Sequence, residues 1–442
     1  MRPLIYSLAS AVMFVGHLAS QDLLSKAPAQ TIPILIENAT IHPVTRSRIE
    51  KGWVLIIAGK IHSLGAGKPA QTPSKTERID AHGEHVYPGL ISAVTQLGLS
   101  EVGAVRSTQD HQELGEIKPE VRAAVAVNPD STLIPVARSN GILVAGVFPT
   151  GGRIPGRASI IHLDGWTSED MTIEAEAGMV VSWPARQSSS RRRHRGQDST
   201  SDNNADKLRR EMAETFTEAR AYLASRRADP DMPTDLRWEA FASIFSRKGH
   251  SQLPVFILAN EIEQIESAVS WAINEGLKPV LIGGRDAPLC ADLLVRHDVP
   301  VVVTGTHKTP KRRDSVFEEA FALPATLDKA GVRWCLASNG SVYNERNLPY
   351  HAATAVAFGL SQAAALRSIT LSAAEILGVG DRLGSLDPGK SATLLITSGN
   401  PMEITTNVTA AFIDGRRVDL RNKQTELAKK YREKYRQLGL IK

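Results

Sequence analysis

His307 follows VPVVVTG, a run apolar enough to read as a buried strand. If that run belongs to a barrel, its C-terminal end is where barrel enzymes place their chemistry, and an imidazole there could move a proton near neutral pH. The competing reading of His307 is a surface loop histidine beside Lys308. Other histidines offer less. His82 and His85 precede the strand-and-helix region, while His111, His162 and His194 fall in loop-like segments without a close carboxylate. No Gly-x-Ser-x-Gly elbow occurs. GRIPGR (152–157) lacks the Gly-Lys-Ser/Thr of a phosphate loop and reads as a loop over the barrel mouth. Cys290 lies in a helix-like run and Cys335 in a strand-like one. Two separately buried thiols are expected, although an oxidising compartment would permit one disulfide.

The elements that must position these residues are legible from hydrophobic patterning. GILVAGVFP (141–149), LPVFILAN (253–260), KPVLIGG (278–284), VPVVVTG (299–305) and VRWCLASNG (332–340) are apolar throughout. They alternate with amphipathic helical runs such as EIEQIESAVSWAINEG. Strands buried on both faces and separated by helices form parallel sheets. About eight such units close a TIM-type (β/α)8 barrel, expected over residues 87–387. Residues 31–67 are instead short β-branched runs broken by Asn, Pro and Gly, with a tight turn at AGK (58–60). The chain returns to β at 391–400 and 408–420, where Asp414-Gly415 marks a hairpin. A basic helical tail occupies 421–442.

At 442 residues with 42% hydrophobic and 22% charged content, the chain is globular and can hold one large and one smaller domain. Its net charge of +5 is modest and comes with no recognition module, so no nucleic-acid partner is expected. Residues 1–20 combine Arg2, an apolar core and a small-residue cleavage site, the pattern of a signal peptide. The apolar run is shorter than the ~20 residues a membrane span needs. Export follows, periplasmic or secreted, with no membrane span after cleavage. Residues 186–206 are poor in apolar side chains and are expected to be a mobile insertion, its Arg191–Arg193 run either solvated or facing an anionic partner.

Several stretches carry a family likeness. IDAHGEHVYPGLISAVTQLG (79–98), the long run from NLPYHAATAV to SATLLI (347–396) and AAFIDGRRV (410–418) resemble the amidohydrolase superfamily, in its imidazolonepropionase-related branch. The resemblance implies that residues 30–86 and 388–420, from both ends of the chain, build one composite β-sandwich beside the barrel. It also implies hydrolysis of C–N bonds other than peptide bonds, on a divalent metal.

The sequence departs from that pattern at the metal. The family's first strand carries Asp-Ala-His-Thr-His after Pro-Gly-Leu-Ile, two imidazoles on one strand face. Here Val94 and Gln96 stand at the two histidine positions. The resemblance places a further histidine where this chain has Asn260, another at Gly283-Gly284, and the proton-handling aspartate where it has Asn339. Valine donates nothing, and amide oxygens suit hard cations better than zinc.

Three readings follow. The first is a metal-free, non-catalytic member that binds a small amide-like ligand or a partner through Val94, Gln96, Asn260, Asn339 and His307. The second is an active hydrolase of amide or cyclic amide bonds, using zinc or another divalent ion or His307. The third is a structural component of a secreted assembly. The first is favoured, because without an ion the attacking water keeps its pKa of about 15.7 instead of about 7.

Overall fold

The computed structural model describes residues 24–186, 200–245, 251–338 and 341–442, with backbone alone at 200–203. The N-terminal β unit comprises β1 (Ile34–Ile41), β2 (Ile49–Ile57), β3 (Lys60–Ala66), β4 (Glu77–Asp80) and β5 (His85–Pro88). The β2–β3 turn has φ of 50° at Ala58 and 77° at Gly59, and the later hairpin has 48° at Asp414 and 71° at Gly415. Positive φ at both central residues is the turn geometry that matches strand twist.

Ten residues after β4, the chain enters the barrel. Its strands are β6 (Leu90–Thr95), β7 (Ile142–Val147), β8 (Gly156–His162), β9 (Thr172–Ser182), β10 (Val255–Ala259), β11 (Pro279–Gly283), β12 (Val301–Thr304) and β13 (Trp334–Ala337). They pair in sequence order, and β13 packs beside β6, so the sheet nearly closes. The C-terminal strands β14 (Leu394–Thr397), β15 (Val408–Ile413) and β16 (Arg416–Arg417) then join the N-terminal unit.

The expected barrel with a composite β unit is present. Leu394 to Thr397 pair antiparallel with His85 to Pro88, which puts both chain ends in one sheet. That sheet curls: the Ile61 amide donates to the Lys390 carbonyl, and the Ala392 amide to Gly59. The curl encloses one apolar core, including Ile36, Ile56, Val86, Leu394 and Phe412.

One barrel strand departs from strict β/α alternation. β8 runs antiparallel to both β7 and β9, joined to its neighbours by short connections. Gly156 starts it, and the Arg153 carbonyl accepts from the Ser182 amide at the end of β9. GRIPGR therefore lies at the C-terminal rim, with Ile154 fully buried.

Alternation sorts the barrel residues by face. Ile91, Ala93, Val144, Phe256, Val280, Ile282, Val302, Cys335 and Ala337 fill the interior, capped by residues around Leu371–Ile376. Leu143, Val181, Ile257, Leu281, Val303 and Leu336 face outward into the helical layer. There Ile262–Asn274 presents Ile265, Ala268, Val269 and Ala272, and a Glu261/Gln264 capping box fixes its start. Cys290 and Cys335 are separate buried thiols. Burial pushes both thiols up, Cys290 to about 11.

Of the insertion expected at 186–206, residues 187–199 lie outside the described residues. From Thr200 the chain is helical to Ala228, and Asp206 pairs with Arg186 at 2.9 Å. The basic tail is helical over Lys423–Gln437, held at its start by an Asn422 cap. Among the described residues, no helix is long and apolar enough to cross a membrane.

Candidate active site at the barrel mouth

Parallel strands bring their C-terminal ends to one rim. On β6 the pairing with β7 slips between Ser92 and Thr95, a bulge that turns Val94 onto the interior apolar cluster. Gln96 follows the strand half-buried, its carbonyl accepting from the Leu99 amide at 2.9 Å. Asn260 follows β10, its backbone amide donating to the Gln264 side chain at 2.8 Å. Its own side chain lies against Gly283, where a Cβ would come within 2.5 Å of Asn260 Oδ1. Gly283 also has φ of 104°, so backbone shape and close approach both account for a residue without a side chain there. Asn339 lies outside the described residues.

A charged cluster spans the loops after β10, β11 and β12. Asp286 is buried and accepts from Lys311 at 2.7 Å and from Arg312 at 2.6 and 3.1 Å. Desolvation alone would raise its carboxyl, yet these two cations hold it below the usual carboxylate range. Glu261 also pairs with Lys311 at 2.8 Å, and Glu319 with Arg285 at 3.2 Å. Three cations thus meet three carboxylates.

Lys308 is placed differently. Thr304 ends β12, one alternation beyond interior-facing Val302, and Lys308 Nζ donates to its hydroxyl at 2.7 Å. Among the described residues, no carboxylate reaches ion-pair distance of that amine. Desolvation first, then the positive charge of Arg285, lowers Lys308 to about 8.

His307 is exposed in the loop after β12, as the reading of a surface loop histidine beside Lys308 has it, but its ring does not stand alone. Its ring centroid lies 4.0 Å from that of His351, and its Nε2 is 2.8 Å from the Thr354 hydroxyl. His351 is buried on the helix Leu348–Ala357, its Nδ1 accepting from the Thr306 amide at 3.2 Å. Desolvation lowers both imidazoles, His351 to about 3. His351 stands in the run that carries the family likeness; its spacing on an amphipathic helix does not by itself separate it from a core residue.

His162 differs from expectation. It ends β8, and its Nε2 lies 3.0 Å from Asp414 on the β15–β16 turn. The partners are far apart in sequence, so local reading could not join them. His162 ties barrel to β unit, away from the strand ends that form the mouth.

Sequence reading missed Glu345 as well. It is fully buried outside the seam where β13 meets β6. Ser92 donates to it at 2.5 Å, Thr95 at 2.6 Å and Ser338 at 2.7 Å. Desolvation outweighs these hydrogen bonds and raises its pKa.

Among the described residues, no three His, Cys, Asp or Glu side chains converge as a metal site would require. The described rim instead carries the Asn260 amide against Gly283, the Lys308 amine on the Thr304 hydroxyl, and three cations paired with three carboxylates.

The fold defines a mixed α/β barrel with a composite β unit, and comparison with known proteins gives its family. The amidohydrolase family model matches residues 168–418, more than half of the chain, and the chain belongs to that family. An amidohydrolase, tasK, of Hapsidospora irregularis is 23% identical over 435 residues. The match covers 87% of this chain and 43% of that protein, so the chain spans less than half of that relative's length. The crystal structure of an amidohydrolase from Thermotoga maritima MSB8 superimposes with a TM-score of 0.76 at 26% identity, covering 88% of this chain and 100% of that one. Molinate hydrolase shares the fold at a TM-score of 0.53 and 14% identity, over 90% of this chain and 96% of its own.

Proposed function

We propose that this protein is a metal-free, non-catalytic amidohydrolase-family member whose barrel mouth binds a small amide-like ligand. The observation that carries this reading is the chemistry of the strand ends. Zinc takes three or four thiolate, imidazole or carboxylate ligands at about 2.0–2.3 Å. Val94, Gln96, Asn260 and Asn339 supply one hydrocarbon and three neutral amides, so the donor set does not fit zinc. Asn339 also has no protonation state with which to take a proton from water. An amide-lined mouth suits a ligand that offers amide donors and acceptors in return. Residues 1–20 are proposed to direct export, which N-terminal sequencing of the protein recovered from outside the cytoplasm would check.

Family membership favours a second reading, active hydrolysis of non-peptide C–N bonds. Elemental analysis of the purified protein separates the two. The expected result is zinc well below one equivalent per chain and background turnover on a panel of amides and cyclic amides. About one equivalent of zinc, lost together with amidase activity on chelation, would overturn the proposal. Val94→His, Gln96→His, Asn260→His and Asn339→Asp combined should raise zinc content, whereas each alone should not.

A further inference from the structure

We infer that the Lys308 amine is a nucleophile of the barrel mouth that condenses with small aldehydes or ketones. The argument rests on position and partners. Lys308 follows the C-terminal end of β12 and reaches back to Thr304 at 2.7 Å, so its nitrogen sits over the strand ends. Among the described residues its side chain bonds to a hydroxyl alone, which can accept from an ammonium or hydrogen-bond a neutral amine equally well. The neighbouring cations are engaged by acids: Arg285 by Glu319, and Lys311 by Asp286 and Glu261. Arg312 is likewise held by Asp286. The groups whose charge acts with that of Lys308 are Arg285 and His351, with His307 packed at a tilt against His351. None is anionic. An amine desolvated beside a cation and lacking a counter-charge is the environment that frees an electron pair for attack on carbonyl carbon.

The step balances without a co-reactant. The Nζ electron pair forms a C–N bond to the carbonyl carbon, and the oxygen takes up a proton to give a carbinolamine. The carbinolamine hydroxyl then leaves with the remaining nitrogen proton as one water, and the nitrogen electron pair closes the C=N bond of the imine. The depressed pKa of about 8 sets the expected rate. At pH 7.5 it leaves roughly a quarter of the amine neutral, against about one part in a thousand for an ordinary lysine near 10.4. Lower basicity and restricted access offset part of that ratio, so at least a tenfold preference is expected.

The biological use of this amine depends on the proposed ligand site, but its reactivity is measured apart from metal content. Zinc-bearing protein with a reactive Lys308 would therefore overturn the former reading and leave this one standing. The full chain should be treated with pyridoxal, reduced with borohydride, digested and mapped by mass spectrometry between pH 6 and 10. The expected result is modification of Lys308 at least about ten times faster than of Lys311 or tail lysines such as Lys430, with a midpoint near pH 8. Lys308→Arg should abolish the fast phase while leaving circular dichroism unchanged. Lys430→Arg, in the exposed C-terminal helix, keeps Lys308 and should preserve the fast phase, which assigns that phase to the mouth lysine. Modification of Lys308 no faster than of tail lysines, or a fast phase that survives Lys308→Arg, would overturn the inference.

Discussion

Glu345 offers the sharpest test of how the barrel seam is held. Its carboxyl accepts from Ser92 and Thr95 on β6 and from Ser338 just after β13, all buried. Glu345→Ala leaves three hydroxyls without their acceptor, at about 1 kcal/mol each, and opens a cavity costing about 1–2 kcal/mol more. The expected loss is therefore about 4–5 kcal/mol. Glu345→Gln should behave differently. Thr95 and Ser338 converge on one oxygen, which the amide oxygen replaces, and the amide nitrogen can donate to the Ser92 hydroxyl once it rotates. That variant should lose at most about 1 kcal/mol at pH 5. The pH dependence provides a second criterion. Because the folded pKa is raised, the folded state binds its proton more tightly than the unfolded chain does. The stabilisation is complete below the unfolded value near 4.3 and is lost as pH rises from there through the folded value. Wild type should therefore lose ground to Glu345→Gln between pH 5 and pH 8. Urea titrations followed by tryptophan emission at both pH values measure these differences. An alanine variant within about 0.5 kcal/mol of wild type, or a glutamine variant as damaged as the alanine one, would refute the seam argument.

His351 carries the opposite pH sign. Burial lowers it to about 3, so the unfolded chain takes up a proton that the folded chain refuses as pH falls below about 6.5. His351→Asn should flatten the stability loss between pH 6.5 and 3, read from urea midpoints at several pH values; an unchanged slope would contradict this origin. Arg138 is fully buried, donating to Asp164 at 2.8 Å and to the carbonyls of Leu163 and Asp419 at 2.9 Å. Arg138→Met should cost about 3–5 kcal/mol by leaving Asp164 with only a distant cation, Arg416 at 3.6 Å. Thermal unfolding indistinguishable from wild type would show that the ion pair contributes little net stability.

The fold was legible because its signals are local. Continuous apolar runs mark β7, β10, β11, β12 and β13, and turn residues with left-handed backbone mark the hairpins at Ala58 and Asp414. Antiparallel β8 was not legible, since Arg157 and Ser159 interrupt its apolar run and direction leaves no trace in residue type. The site divides the same way. Val94, Gln96 and Asn260 stand at strand ends that patterning could find. Glu345 becomes visible only when Ser92 and Ser338, 246 positions apart, close on one seam. His162 shows the same limit, its partner Asp414 lying in the other unit. In the sequence Lys308 is only a neighbour of His307; its isolation from acids depends on how three loops pair their charges.

The pairing of β5 with β14 imposes an order in time. Residues 85–88 leave the ribosome roughly three hundred residues before their partners at 394–397. At about 5–20 residues per second, that is an interval of the order of 15–60 s. Throughout it, β5 offers an unpaired edge, and the apolar face bearing Ile36, Ile56 and Val86 lacks the Leu394 and Phe412 that complete its cover. The barrel must grow from a base that stays unfinished until the last strands emerge. A chain stopped before residue 394 would keep that edge open and available for pairing with another nascent copy, so the final fifty residues act as the release step of assembly.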